Sequence, residues 1–148
     1  MANLPAYAYP GIGEWARKTM SYNQAVRAGN TIVCSGQGGW DRTTGAIPPD
    51  VCAEVDAAFA NVDATLRHAG GRGWSQVYKV TTYSTDIRAT HDRIVENYRR
   101  WMPDHQPVWT EVGVARLGLD ELRIEVEVTA WDEEGAERVR REKESEKM

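Results

Sequence analysis

Residues 122–131 read LRIEVEVTAW, and their strict alternation decides the fold. Leu122, Ile124, Val126, Val128 and Ala130 fall on one side of an extended chain, with Arg123, Glu125, Glu127, Thr129 and Trp131 on the other. Successive side chains of a strand point to opposite faces, so the segment predicts a strand over 121–131 with an aliphatic core face and a polar face. Such a sheet needs a covering layer, and two stretches upstream supply it. From Asp50, Val51, Val55, Ala58, Phe59, Val62 and Leu66 recur at spacings of three and four, the stripe of a helix on a core, started by Asp50 and ended by Gly70 and Gly71. THDRIVENYRRWM, residues 90–102, repeats that spacing through Ile94, Tyr98 and Trp101 and stops at Pro103.

The remaining strands fall into place around these elements. SYNQAVRAGNTIVCSGQ, residues 21–37, carries two β-prone runs, 21–28 and 31–37, separated by the turn signal AGN. SQVYKVTTYST predicts a strand near 76–85, and HQPVWTEVGVARLG predicts another over 107–116. The order strand, strand, helix, strand, helix, strand, strand is that of an α+β two-layer domain, with a mixed sheet and two helices on one face. Residues 1–131 are expected to form this single domain, with 1–19 as an irregular lead-in held by Tyr7, Tyr9 and Trp15. Residues 132–148 form a charged tail, in which Glu134 with Arg138 and Glu137 with Arg141 can support a frayed, solvated helix.

Composition narrows the function classes. The chain has 148 residues, 41% hydrophobic and 27% charged, which suits one globular domain with its own core. A net charge of −4 gives no general attraction to a polyanion, so nucleic acid is excluded as the expected partner. No apolar run is long enough to span a membrane, and the start lacks a secretory pattern, which predicts a cytoplasmic protein. Cys34 and Cys52 lie in different predicted elements without metal spacing, and read as reduced thiols. The three histidines show no metal spacing either, so no metal site is expected. His68 and His91 read as surface residues, whereas His105 lies beside the 107–116 strand and is a candidate ligand contact.

That strand poses a question of faces. Val108, Thr110, Val112 and Val114 read as its core face, which leaves Trp109, Glu111, Gly113 and Ala115 on the other. An indole on a polar face is expensive to leave in water, so Trp109 either walls a ligand site or fills a contact with another subunit. Glu125 and Glu127 read either as a solvated face with cross-strand charge pairs or as part of a site.

Taken together, SYNQAVRAGNTIVCSGQ, NVDATLRHAGG (61–71), VYKVTTYSTD (77–86), ENYRRWM (96–102), VGVARL (112–117) and RIEVEVTA (123–130) resemble the Rid family, also called YjgF-like proteins and labelled endoribonuclease L-PSP. The resemblance implies a chorismate-mutase-like, ferredoxin-like fold and a homotrimer whose sheets pack into a central barrel. It also implies small-molecule clefts between subunits and hydrolysis of enamines or imines without metal or organic cofactor. By position it makes Tyr22 a pocket tyrosine, Ser35 and Gly36 the pocket floor, and Glu125 the carboxylate that positions water. The chain departs from the family where deaminating members read Pro, small residue, Arg, Ser or Thr. Here the residues are Pro107, Val108, Trp109 and Thr110, followed by Glu111, and Val95 stands where an asparagine is common.

An indole cannot make the paired, charge-assisted bonds with which a guanidinium clamps a carboxylate, and Glu111 would repel one. The expected ligand is therefore neutral, cationic or aromatic, with Glu125 and Glu111 sharing acid and base roles and Tyr22, Ser35, Gly36, Trp109 and His105 binding it. The expected activity is that of a hydrolase or isomerase. The alternative is a non-catalytic trimer that binds a ligand or docks to another enzyme.

Overall fold

The computed structural model describes residues 3–148. The chain runs β1 (Ala6–Tyr7), α1 (Ile12–Met20), β2 (Ala25–Ala28), β3 (Thr31–Cys34), α2 (Val51–His68), β4 (Val77–Ser84), α3 (Ile87–Trp101), β5 (Val108–Gly113), β6 (Ile124–Trp131) and α4 (Glu133–Glu146). All six strands form one sheet in the order β1-β2-β3-β6-β4-β5, and β4 with β5 is its one parallel pair. That pair needs a crossover, which α3 provides.

The alternation that opened the reading is realised in full. Ile124, Val126, Val128 and Ala130 are buried, whereas Glu125 and Thr129 are half-buried and Glu127 and Trp131 are exposed. With Ile32 of β3 and Val80 of β4 they form the floor of a core roofed by Val55, Phe59, Val62 and Leu66 of α2 and Ile94 of α3. The Asp50 carboxylate accepts from the Ala53 amide and so starts α2. Gly70 follows that helix in a left-handed conformation at φ +88°, where a side chain would be strained.

Both ends of the chain are more ordered than their composition suggests. The predicted lead-in contains a strand and a nine-residue helix, except for its first two residues, which lie outside the described residues. Its aromatics divide: Tyr9 is buried and Trp15 is about half exposed. At the other end the tail is a helix anchored at its root. Asp132 caps α4, its carboxylate lies 2.6 Å from the Arg27 guanidinium with both side chains buried, and Ala136 is buried beside it. Arg138 reaches the Gly70 carbonyl and Glu134 pairs with Arg72, so the predicted Glu134–Arg138 pair does not form; Glu137 with Arg141 does. The lower part of α4 is thus docked on the domain and its far end is solvated.

The face of the sheet away from α2 and α3 is uncovered in the single chain. Val33, Trp131 and Val108 stand out on it, Val108 at 67% exposure. Among the described residues no helix is long and apolar enough to cross a membrane.

Candidate functional site

The strand β5 sits the other way round from its sequence reading. Its register against β4 places Trp109 beside Val80 and Glu111 beside Thr82, both on the helix-covered face. Val108, Thr110 and Val112 therefore point to the open face, a correction to their reading as core. The physical reason is that an indole offers more apolar area than a valine, and here its one polar atom finds a partner. Trp109 Nε1 donates to the Thr82 hydroxyl at 3.0 Å, and its ring meets the Tyr98 ring edge-on at 5.0 Å. Since β5 is an edge strand with a single neighbour, nothing else fixes which face turns inward.

Glu111 and Glu125 do not share a site within one chain. Glu111 is in register with Thr82, and Glu125 with Tyr83, so adjacent residues of β4 carry them on opposite faces of the sheet. The expectation that these two carboxylates divide acid and base roles thus finds no support inside a single subunit.

Glu125 opens into a cleft of about 720 Å³ between α1, the 38–50 loop and the segment before β6. Ile12, Trp15, Met20, Tyr22, Trp40 and Leu122 supply apolar and aromatic walls, and Glu125 is the one charged side chain among the lining residues. Its carboxyl lies against Gly36, where an added Cβ would meet Oε1 and displace the carboxyl from its present position. Burial first, and then the neighbouring Glu127, raise the Glu125 pKa above its ordinary value. Tyr83, opposite it, is raised by burial and by the same two carboxylates.

The cleft wall is braced by a buried chain of bonds. Trp40 Nε1 donates to the Tyr9 hydroxyl, which donates to Gln37 Oε1, and Gln37 Nε2 donates to Gln24 Oε1. Burial pushes the Tyr9 phenol up to about 12, so it stays a neutral donor. This network was not foreseen, although Gln24 and Gln37 flank the hairpin whose turn was legible. Ser35 serves the hairpin itself: its hydroxyl donates to the Asn23 and Gln24 carbonyls at 3.2 and 3.1 Å and is not a lining group of the cleft.

A second constellation lies on the helix face. His91 Nδ1 of α3 is 2.9 and 3.1 Å from the two Glu111 oxygens, and the imidazole stacks on Trp109 with ring centres 5.5 Å apart and planes 26° from parallel. His91 lies at the surface as read, its side chain 45% exposed, but there it is engaged by Glu111 and Trp109. His105, by contrast, donates from Nε2 to the Val77 carbonyl at 2.7 Å and lines a shallow groove with Trp109 and Met102, away from Glu125. Among the described residues no group of three or more His, Cys, Asp or Glu side chains is placed to hold a metal ion.

The fold and cleft define an α+β domain of the YjgF type. A family model described as Endoribonuclease L-PSP matches residues 16–131, and the chain belongs to that family, the Rid or YjgF-like proteins. A RutC family protein of Pyrococcus abyssi is 34% identical over 113 residues, 76% of this chain and 87% of the relative. The RutC family protein YjgH of Escherichia coli is 36% identical over 71% of this chain and 79% of its own length. The 2-iminobutanoate/2-iminopropanoate deaminase of E. coli is 32% identical over 74% of this chain and 85% of its own length. A solved structure of YjgH superposes with a TM-score of 0.75 at 28% identity, covering 88% of this chain and 96% of that one. The family therefore includes imine deaminases.

Proposed function

We propose that the protein is a cofactor-independent hydrolase of the imine or enamine type, or a tautomerase, acting on a small neutral, cationic or aromatic molecule. One observation carries the reading: a carboxyl of raised pKa is the one charged group among the residues that line a roomy, aromatic-walled cleft. Burial that favours the protonated form suits such a carboxyl to deliver a proton to an imine nitrogen and to take one back later in the cycle. Tyr22, Trp15 and Trp40 offer faces for a flat or cationic molecule. Among the described residues no lysine, arginine or histidine of the same chain lines the cleft, so that chain offers a substrate carboxylate no fixed counter-charge there.

The working unit in this reading is a cytoplasmic homotrimer with its clefts completed between copies. The uncovered sheet face, with Val33, Val108 and Trp131 exposed, is an apolar surface of the kind that another copy of the chain covers. Free Cys34 and Cys52 accord with a reducing compartment.

The test is a comparison of two imines, N-benzylidenemethylamine, which is aromatic and uncharged, and 2-iminopropanoate, which carries a carboxylate. The protein should hydrolyse the first with the higher kcat/KM, and Glu125→Gln should lower that rate by about a hundredfold or more. A preference for 2-iminopropanoate would refute the argument from the missing counter-charge. Binding without turnover in the wild-type protein would favour the non-catalytic ligand-binding alternative.

A further inference from the structure

We propose that His91, oriented by Glu111 and stacked on Trp109, is a second acid–base group of the reaction, presented by one copy of the chain to the Glu125 cleft of another. The inference rests on the reading above that clefts are completed between copies.

The geometry points to an imidazole held for proton transfer. An ionised carboxylate only accepts hydrogen bonds, so two contacts from Nδ1 to the Glu111 oxygens fix the proton on Nδ1. That leaves the lone pair on Nε2, which has no partner among the described residues, in a side chain 45% exposed. Trp109 locks the ring plane from one side, and Tyr98 in turn braces Trp109. The Tyr98 hydroxyl is buried beneath this group with no hydrogen-bond partner, a polar atom that the single chain leaves unsatisfied. A histidine on a helix that merely solvates its surface needs neither an aromatic platform nor a carboxylate behind it.

Each half is also incomplete alone. The Glu125 cleft holds a single carboxyl and, apart from the Tyr22 phenol, no other acid or base among its lining residues, and neither His91 nor Glu111 lines it or the neighbouring His105 groove. The sheet separates them, because Glu111 and Glu125 project from its opposite faces, and a packed sheet does not let them meet. Only a second copy can bring one half to the other.

The chemistry balances with both groups present. His91 Nε2 takes a proton from water as its oxygen bonds to the imine carbon, while the C=N electron pair moves to nitrogen and Glu125 supplies the proton there. In the carbinolamine, Glu125 takes the hydroxyl proton as the C–N bond breaks, and the imidazolium gives its proton to the departing amine. Water is consumed, a carbonyl compound and an amine are released, and both residues return to their starting states. Glu111 touches none of the reacting atoms and is a positioning residue.

The experiment uses the full chain and N-benzylidenemethylamine. His91→Ala and His91→Gln should each lower kcat by about a hundredfold or more while near-UV circular dichroism stays that of the wild type. Free imidazole should restore part of the rate of His91→Ala and none of that of Glu125→Gln. Mixed assemblies of the inactive His91→Ala and Glu125→Gln chains should regain turnover, because some boundaries then pair an intact His91 with an intact Glu125. Glu111→Gln should lower kcat and leave KM unchanged, and Glu111→Asp, which keeps a carboxylate able to accept from Nδ1, should retain more of the rate. Wild-type kcat in both His91 variants would overturn the proposal, and so would failure of the mixed chains to recover. Should the wild-type protein hydrolyse neither imine, the hydrolase reading falls by itself. The His91 Cε1–H resonance then decides the placement: a shift on adding N-methylbenzamide keeps the imidazole in the cleft, and no shift removes it.

Discussion

Two carboxylates fourteen residues apart, Glu111 and Glu125, sit on opposite faces of one sheet and live in opposite chemical surroundings. Glu111 has been drawn into the helix layer, where a histidine and an indole engage it. Glu125 lies over a glycine in an apolar cleft, with no cation beside it and another carboxylate nearby. The same residue type at similar strand positions is thus tied into a side-chain network in one case and set in an apolar cleft without a cation in the other. Environment, not residue identity, sets the chemistry open to each carboxylate.

Substitution on each face should break this comparison in different ways. The largest effect belongs to Glu125→Gln, with imine hydrolysis reduced about a hundredfold or more and the fold intact; Glu127→Gln, on the exposed part of the same face, should cost less than about tenfold. On the helix face, Trp109→Ala should act mainly through stability, with a loss of about 2–3 kcal/mol in urea unfolding, because the half-buried ring packs on the core and on Tyr98. A Trp109 variant of unchanged stability would mean that the ring is not part of the core.

Val108 tests which way β5 faces. Val108→Asp should leave chain folding close to wild type and, in the proposed trimer, shift the sedimentation profile toward a smaller species, because a charge would enter the exposed face proposed to meet another copy. A loss of several kcal/mol of chain stability without a change in assembly would restore the sequence reading of Val108 as core.

The smallest effect is in pH dependence, and its sign differs between the faces. The Glu125 pKa is raised in the folded protein, so the folded state holds its proton longer. Its contribution to stability is present at low pH and is lost as pH rises from the unfolded value through the folded one. Asp56, hydrogen-bonded by Arg93 in the helix layer, is lowered instead. Its contribution is present above the unfolded value and is lost as pH falls through the folded one. In thermal melts across pH, Glu125→Gln should remove a decline on the rising side, and Asp56→Asn should remove a decline on the acid side. Matching pH profiles for the two variants would contradict the assignment of opposite environments.

The sequence was most legible where one pattern had one physical solution. The alternation in 122–131 and the three-and-four spacing from Asp50 each bury one face only, and both elements formed as read. The hairpin around Gly29 was equally plain, since that residue adopts φ +60° in the turn. Tyr22, Gly36 and Glu125 were singled out from the family resemblance, and the fold gathers them at one cleft or its floor. The misread strand was β5, where both faces carry residues able to be buried, and only pairing with β4 selects between them. His91 escaped notice for a related reason: its partners Trp109 and Glu111 are 18 and 20 residues away, and no local spacing announces a contact made across a crossover.

By itself the sequence determined the order of the elements from β2 to β6, the buried face of β6, the two covering helices and the placement of an indole before Thr110. All of these follow from local periodicity and residue chemistry, which the chain carries wherever it goes. Tertiary structure alone decided which way β5 faces, that Glu111 turns to His91 rather than to Glu125, and that the root of α4 docks through Asp132 and Arg27. Those outcomes depend on strand register and on contacts between distant segments, where the competing arrangements differ in what each side chain meets and not in the residues themselves.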